Sequence, residues 1–183
     1  MLIDWITAKL DEKHLSEETI RILRSRSDRI IRISAETGEQ VYETQAWDSI
    51  RSDSHSITIR MSSDCLFICG SPARILGDGD AVFSTGVCSK LELRGCIDAM
   101  IKFVSIQTAV ILPPSNSWKI TRIDVTDNLK LDSQAQVIEA LDILNRTDGG
   151  RYKVSNKAGN SIYWGSKSRR YKGKAYAKGE HLI

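Results

Sequence analysis

Runs of β-branched and aromatic residues, in places alternating with polar residues, recur along most of the chain and indicate β-strands. The predicted strands are residues 2–10, 29–35, 40–46, 56–61, 65–69 and 118–125. The second and third flank the turn-forming residues 36–39, which include Gly38, and the fourth and fifth flank residues 62–64. Each of these two pairs therefore predicts a β-hairpin, and the whole pattern predicts an antiparallel sheet.

Three other segments predict helices. Ser16 is a suitable N-cap for a short helix with acidic residues in its first turn. From about Lys90 to Thr108, apolar residues recur at three- and four-residue spacing, and Pro113 follows as a helix breaker. Asp132 or Ser133 caps a third helix, which is expected to end at the glycine pair 149–150.

The order of these elements predicts an α+β fold, with an antiparallel sheet covered on one face by the two longer helices. Residues 70–80 contain Pro72 and three glycines and predict a loop. A length of 183 residues suits a single domain with a substantial core, so we expect residues 1–183 to form one domain.

Composition places the chain among soluble globular proteins, with 41% hydrophobic and 27% charged residues. The longest apolar stretch, residues 106–112, is far shorter than the ~20 residues of a membrane span. The first residues include Asp4 and no basic region, unlike a secretory signal. These two features lead us to expect no membrane partner. The four cysteines form no Cys-x-x-Cys pair, so we expect them to be buried free thiols in a reducing cytoplasm.

Charge is distributed very unevenly along the chain. Residues 151–178 hold nine Lys or Arg and no Asp or Glu, whereas the other 155 residues carry 17 basic and 23 acidic groups. Four of the five tyrosines and Trp164 are interleaved with these nine cations. Nucleic acid fits such a segment because it offers phosphates to neutralise and bases to stack on aromatic rings. The segment is predicted to form two or three strands with turns at Gly159, Asn160 and Gly165.

Two groups of residues could carry metal chemistry. Strand alternation places Arg122 and Asp124 on one face, opposite Ile123 and Val125, which we expect to face the helices. The Asp124 carboxylate could bind a metal or orient a base, or it could form an ion pair with a neighbouring strand. Near the end of the basic segment, Glu180 and His181 have side chains that commonly bind divalent cations, although Glu180 could instead pair with a nearby Lys.

Tyr171 is the candidate nucleophile within the basic segment. Tyrosine can attack phosphorus when a metal polarises the electrophile and a base lowers the tyrosine pKa. The alternation around Gly173 predicts a strand, however, which puts Tyr171 and Lys174 on opposite faces and favours a stacking or packing role. Residues 166–170 form a candidate phosphate-contacting loop, or alternatively a solvated basic loop.

Several segments, in order along the chain, resemble the filamentous-phage replication initiators of the II/X family. Residues 71–85 (SPARILGDGDAVFST) resemble that family's Ser-Pro-Ala-Lys segment, although Asp78, Gly79 and Asp80 replace its His-Asn. Residues 120–126 (ITRIDVT) resemble its Thr-Arg-Ile-Asp strand, and residues 161–182 resemble its Tyr-Trp-Gly…Ser-Arg-Arg…Lys-Gly-Glu segment. Residues 1–10 also match the family's opening, and the same motifs are similar to those of plasmid rolling-circle initiators.

The resemblance implies an N-terminal portion of an origin-specific protein that nicks and rejoins DNA for rolling-circle replication, with the fold of rolling-circle initiator nuclease domains. It implies Mg²⁺ or Mn²⁺ as cofactor, with Asp124 and Glu180 as ligands, and His181 beside Glu180 is a further candidate ligand from its residue type. The nucleophilic tyrosine of the family lies downstream of the position that Glu180 matches. The implied partners are single-stranded or origin DNA and a host replication helicase, in a bacterial cytoplasm.

The candidate DNA contacts are Arg122, Tyr163, Trp164, Lys167, Arg169, Arg170, Lys172, Lys174 and Lys178. A different hypothesis is a non-catalytic DNA-binding or regulatory module without the nucleophile. A third is an α+β domain whose basic surface binds RNA or an acidic protein.

Overall fold

The computed structural model describes residues 2–51, 56–72, 75, 93–147, 154–158 and 161–177. The chain forms two compact units, residues 1–128 and residues 129–183. Our expectation of a single domain over residues 1–183 stays a prediction. Within the described part, no helix has both the length and the apolar character needed to span a membrane.

A five-stranded antiparallel sheet organises the first unit, in the order β4-β5-β6-β1-β7. Its strands are β1 (Leu2–Asp11), β4 (Asp48–Arg51), β5 (Ser56–Ser62), β6 (Cys65–Gly70) and β7 (Lys119–Thr126). A separate two-stranded hairpin consists of β2 (Arg29–Ile33) and β3 (Gln40–Gln45). The predicted strands are confirmed, whereas β4 is an element that the sequence pattern did not reveal.

Two of the helices described in the first unit contribute to the core beside this sheet. Helix α1 (Glu17–Ser25) begins after the predicted cap Ser16, whose hydroxyl accepts the Thr19 N–H at 3.1 Å. Helix α2 (Leu93–Thr108) ends before Ala109, which has a φ of 54°. This left-handed backbone conformation breaks the helical hydrogen-bond pattern four residues ahead of the prolines.

The core lies between one face of the sheet and these helices. Alternate residues Ile6, Ala8 and Leu10 of β1 are fully buried, as period-two alternation requires. They join apolar residues of the other strands, Leu23 of α1, and the α2 stripe in one hydrophobic cluster. The buried residues of α2 are Cys96, Ile97, Met100, Ile101, Val104 and Thr108. The predicted spacing of the long helix is thus confirmed.

The edge position of β7 overturns the expectation that Ile123 and Val125 are covered by the helices. Ile123 and Val125 are 40% and 53% exposed, although Ile123 pairs with the fully buried Ile6 and therefore lies on the core side. Because β7 is the last strand of the sheet, only its first half, around Ile120, packs against the core cluster. The apolar face of this strand therefore does not turn into the core along its whole length.

The second unit contains helix α3 (Gln134–Arg146) and a three-stranded antiparallel sheet in the order β10-β9-β8. Its strands are β8 (Val154–Ala158), β9 (Ser161–Trp164) and β10 (Gly173–Tyr176). Ser133, one of the two predicted caps, accepts the Gln136 N–H at 3.3 Å. Helix α3 ends at Arg146, earlier than the glycine pair 149–150, which lies outside the described residues.

Two smaller predictions concern loops and thiols. Pro72 and Ile75 are helical, so at these two positions the predicted loop over residues 70–80 is wrong, and residues 73–74 and 76–80 lie outside the described residues. Cys65, Cys69 and Cys96 form no disulfide, as expected; Cys69 and Cys96 are buried, whereas Cys65 is only partly buried, so the expectation of burial is wrong there. Cys88 also lies outside the described residues.

Candidate nucleic-acid interface

The loop between β9 and β10 presents the basic residues that the sequence singled out. Glycine at position 165 has a φ of 62°, which a side chain would disfavour, and it starts the turn out of β9. Its carbonyl accepts the Ser168 N–H at 2.8 Å. The Ser168 hydroxyl in turn accepts the backbone N–H groups of Arg170 and Tyr171, both at 3.2 Å. These local bonds fix the loop backbone from which the arginines project.

The five cations of this loop and strand β10 are all exposed. They are Lys167, Arg169, Arg170, Lys172 and Lys174. In the described residues of this unit, none of the five forms an ion pair with a carboxylate. Five neighbouring positive charges repel one another, and a polyanion removes that repulsion.

Aromatic rings lie directly beside this charge. The Lys174 ammonium is 4.3 Å from the centroid of the Tyr176 ring and 5.5 Å from that of Tyr163. The cross-strand pair Lys174–Tyr163 and the two-residue spacing to Tyr176 put all three side chains on one face. Tyr176 is 41% exposed and Tyr163 is partly buried. Such an arrangement can hold a phosphate and a base at neighbouring points.

Trp164 occupies the other face of this sheet and depends on a glycine. Trp164 pairs with Gly173 across β9 and β10, and a Cβ at Gly173 would lie 3.2 Å from the Trp164 ring atom Cε3. Glycine thus lets the indole lie close against the neighbouring strand. Trp164 is half-buried, so its ring serves packing at least as much as contact with a partner.

Tyr171 lies in the loop, two residues before β10 begins, and its side chain is 68% exposed. The sequence placed it in a strand opposite Lys174, and the structure instead places it outside any strand. The contacts of Lys174 are with the rings of Tyr163 and Tyr176. Both interpretations of Tyr171, as a nucleophile and as a stacking residue, stay predictions.

In the first unit, Arg122 and Asp124 lie on one face of β7, as alternation predicted. Arg122 Nε donates to Asp124 Oδ1 at 2.7 Å, and a second guanidinium nitrogen donates to Oδ2, which makes the contact bidentate. This hydrogen bond raises the pKa of Arg122 above its usual range. The ion pair therefore forms within the strand, between residues two apart, rather than with a neighbouring strand.

The structure describes only one of the three residues of the predicted metal site. Asp124 is a partly exposed carboxylate, whereas Glu180, His181 and the candidate DNA contact Lys178 lie outside the described residues. Among the residues that are described, no three His, Cys, Asp or Glu side chains are grouped to hold a metal ion. The ligand set of Asp124, Glu180 and His181 stays a prediction.

A second cationic and aromatic group was missed by sequence reasoning. Arg60 of β5 lies over the ring of Trp47, at 4.5 Å from its centroid, and 5.8 Å from the ring of Phe67 on β6. Trp47 immediately precedes β4, the strand that was not predicted. A search for aromatic residues directly opposite cations would have needed the strand register, which the sequence alone does not supply.

Comparison with known proteins adds one result to this geometry. A family model for the N-terminal region of a phage replication-associated protein matches residues 2–182, which is nearly the whole chain and includes both units. No curated protein and no solved structure matches the chain. The matched range contains the sheet of the first unit, the Arg122–Asp124 pair and the basic loop.

Proposed function

The chain belongs to the family of filamentous-phage replication initiators, as the N-terminal portion of such a protein, and from this we propose that it takes part in metal-dependent nicking and rejoining of single-stranded origin DNA. In this proposal the second unit holds the strand and Asp124 contributes to a divalent-cation site. Membership of the family supports a role in phage replication in general. The proposed DNA binding, metal site and reaction rest on the chemistry of this chain's residues.

The observation that carries DNA binding is the group of five exposed cations, none of which forms an ion pair with a described carboxylate, beside exposed aromatic rings. Binding releases the counterions that surround the phosphates, so cations that have no acidic partner in the protein contribute most. Arg169 and Arg170 are best placed for this role, because the Ser168 hydroxyl orders the backbone at Arg170 and Tyr171. An arginine on an ordered loop loses less freedom when it binds a phosphate.

A single strand suits this surface better than a duplex. Tyr171 and Tyr176 are 68% and 41% exposed, and both lie within a few residues of the loop cations. The faces of bases are accessible to such rings in a single strand, whereas they are stacked on one another in a duplex. Rings interleaved with cations therefore favour a single-stranded partner.

The cation site is proposed on the chemistry of its donors. A carboxylate such as Asp124 is an ordinary oxygen ligand for Mg²⁺ or Mn²⁺, and Glu180 and His181 would complete a mixed oxygen and nitrogen set. The guanidinium of Arg122 occupies one acceptor position on each Asp124 oxygen, and each oxygen has a second. Asp124 can therefore bind a cation without losing its partner. When bound, the ion would act as a Lewis acid on the scissile phosphate.

The reaction implied by the family breaks one phosphodiester bond and forms another. A tyrosine oxygen attacks phosphorus and becomes bonded to the 5′ phosphate, while the 3′ oxygen leaves and takes up a proton. Rejoining is the reverse reaction, with the 3′ hydroxyl as nucleophile. In this scheme the loop cations of this chain hold the flanking phosphates, and Arg122 holds the Asp124 carboxylate in its orientation. We assign the attacking role to no tyrosine described in this chain.

Replacing both Arg169 and Arg170 with Ala is expected to weaken single-strand binding and to reduce its dependence on salt. For a single strand each phosphate contact contributes about 0.7 units to the slope of log K against log salt, so the slope should flatten by up to about 1.4 units. Fluorescence anisotropy of a labelled oligonucleotide over a range of salt concentrations measures both quantities.

The matched control for this double variant removes the same charge elsewhere. Arg21 of α1 and Lys102 of α2 are exposed cations without an ion pair in the described part of the chain. Replacing these two with Ala should leave the salt slope close to that of the unmodified protein. If the loop variant keeps the full slope, the loop does not contact the DNA.

A further inference from the structure

The face of the five-stranded sheet that lies opposite the core has an unusual composition. The strand registers define two rows of side chains on this face. In the order of the sheet, the first row, from β5 to β7, is Arg60, Phe67, Lys9 and Lys119, and Trp47, the residue before β4, extends it through its contact with Arg60. The second row, in the same order, is Ser49, Thr58, Cys69, Thr7 and Arg122. Neither row contains an acidic residue.

Arg60 in the first row lacks the partners that a half-buried arginine normally has. Its guanidinium lies between the rings of Trp47 and Phe67, at 4.5 and 5.8 Å from their centroids. Its Nε atom is buried and has no hydrogen-bond partner, and Arg60 makes no ion pair with any described carboxylate. A buried donor without an acceptor costs stability. Because Nε is not accessible, a phosphate would reach Arg60 only through the terminal nitrogens of its guanidinium.

Two lysines lie directly opposite each other in the same row. Lys9 of β1 pairs with Lys119 of β7, and neither forms an ion pair with a residue in the described part of the chain. Like charges in directly opposite positions on neighbouring strands destabilise a sheet. A bound anion between or above them would convert this repulsion into attraction.

The second row contributes neither a reactive thiolate nor an unpaired charge to this face. Thr58 Oγ1 and Cys69 Sγ are in hydrogen-bond contact at 2.8 Å. Burial raises the pKa of the Cys69 thiol, so Cys69 is a neutral packing residue rather than a reactive thiolate. Arg122 at the end of this row has its charge offset by Asp124.

We propose that this face is a second contact surface for single-stranded DNA, with Lys9, Lys119 and Arg60 binding phosphates and Trp47 stacking on a base. The inference rests on the proposed function, and it adds a site in the first unit to the basic loop of the second. Strands lie about 4.8 Å apart, so the first row extends over roughly 19 Å. That length accommodates several phosphates of one strand along a line that contains both rings and cations.

The combination of rings and cations favours nucleic acid over an acidic protein. An acidic peptide would satisfy the lysines but would gain little from a 41% exposed indole ring beside Arg60. A single strand uses both features, because each nucleotide carries one phosphate and one flat base. The ring of Trp47, already stacked on a guanidinium, has a fixed orientation for a base to stack on.

The test compares three single variants of this face with two matched controls in oligonucleotide binding. The variants are Trp47→Ala, Arg60→Ala and Lys119→Ala. The controls are Tyr42→Ala and Arg32→Ala, which remove an exposed ring and an exposed cation from the β2–β3 hairpin. The probe is a labelled single-stranded oligonucleotide, and circular dichroism confirms that each variant is folded.

Trp47→Ala is expected to weaken binding about tenfold with an unchanged salt slope, since stacking is not a charge effect. Lys119→Ala is expected to flatten the slope by about 0.7 units, the value for one phosphate of a single strand. Arg60→Ala should show both effects, and the two controls neither. Folded Trp47→Ala and Lys119→Ala proteins that bind like the controls would overturn the proposal.

The same experiment separates this proposal from the proposed function. If the unmodified protein binds no single strand, the proposed function itself fails. If it binds, and Arg169 and Arg170 matter while Trp47 and Lys119 do not, only the second surface is refuted. Binding of an acidic peptide that is lost in Lys119→Ala, without any change in oligonucleotide binding, would likewise overturn it in favour of a protein partner.

Discussion

The variants Asp124→Ala and Glu180→Ala are each expected to abolish Mn²⁺ binding while the protein remains folded. Each substitution removes a carboxylate, which is the charged ligand that a hard divalent cation requires. The fold should survive, because Asp124 lies on an edge strand and its ion pair with Arg122 is largely exposed. Isothermal titration calorimetry with Mn²⁺, together with circular dichroism, measures both properties.

The contact between Arg122 and Asp124 provides the sharpest control for this prediction. If Asp124 serves only as a partner of the guanidinium, Arg122→Ala and Asp124→Ala should behave alike. If Asp124 binds the cation, Arg122→Ala should retain Mn²⁺ binding while Asp124→Ala loses it. Asp142→Ala, on the exposed side of α3, controls for the loss of an unrelated carboxylate. Unchanged Mn²⁺ affinity in both Asp124→Ala and Glu180→Ala would refute the site.

Replacing Ile68 with Ala is expected to lower the free energy of unfolding by about 2 to 5 kcal/mol. Ile68 is fully buried on β6, at the centre of the five-stranded sheet, and its removal leaves a cavity in the core cluster that α1 and α2 share with the sheet. The matched control is Ile33→Ala on the β2–β3 hairpin, where the side chain is 61% exposed. That variant should change stability by less than about 1 kcal/mol.

Urea denaturation followed by circular dichroism gives both values. A cost at Ile68 no larger than that at Ile33 would mean that the face of the sheet assigned to the core is not the buried one. The result bears on the proposed second DNA surface as well, because the two faces of a strand exchange if its register shifts by one residue.

Local features of the fold could be predicted from the sequence because they depend on neighbouring residues. Ser16 caps α1 through a hydroxyl three residues from the N–H it accepts, and that spacing is visible in the sequence. The stripe of α2 from Ile97 to Val104 is likewise a local periodicity. Strand β4 was missed because it has four residues, too few for alternation to stand out, and it forms only by pairing with β5.

The candidate site shows the same division between local and long-range information. The chemistry of the basic segment, with its interleaved rings, is a property of composition and was predicted. The bidentate bond of Arg122 to Asp124 replaced the expected cross-strand pair, because side chains two apart on a strand also lie within reach. The row containing Trp47, Arg60 and Phe67 depends on the register between β4, β5 and β6, which the sequence pattern does not supply.

The exposure of Ile123 and Val125 also depends on the position of their strand in the sheet, which the sequence pattern does not supply. Their alternation correctly gives the side of the strand on which they lie, since Ile123 pairs with the buried Ile6. Alternation cannot show that β7 is an edge strand that extends beyond the core cluster. Position in the sheet, rather than the pattern along the strand, decides how much of that face is buried.

Formation of a covalent protein–DNA adduct tests the central claim most directly. The complete protein that carries residues 1–183 is incubated with single-stranded origin DNA and Mn²⁺, and the products are separated on a denaturing gel. We predict an adduct that requires Mn²⁺ and that is absent from the Asp124→Ala variant. A protein that binds the strand with the salt dependence expected of the basic loop, yet forms no adduct, would contradict the nicking function and identify a non-catalytic DNA-binding module.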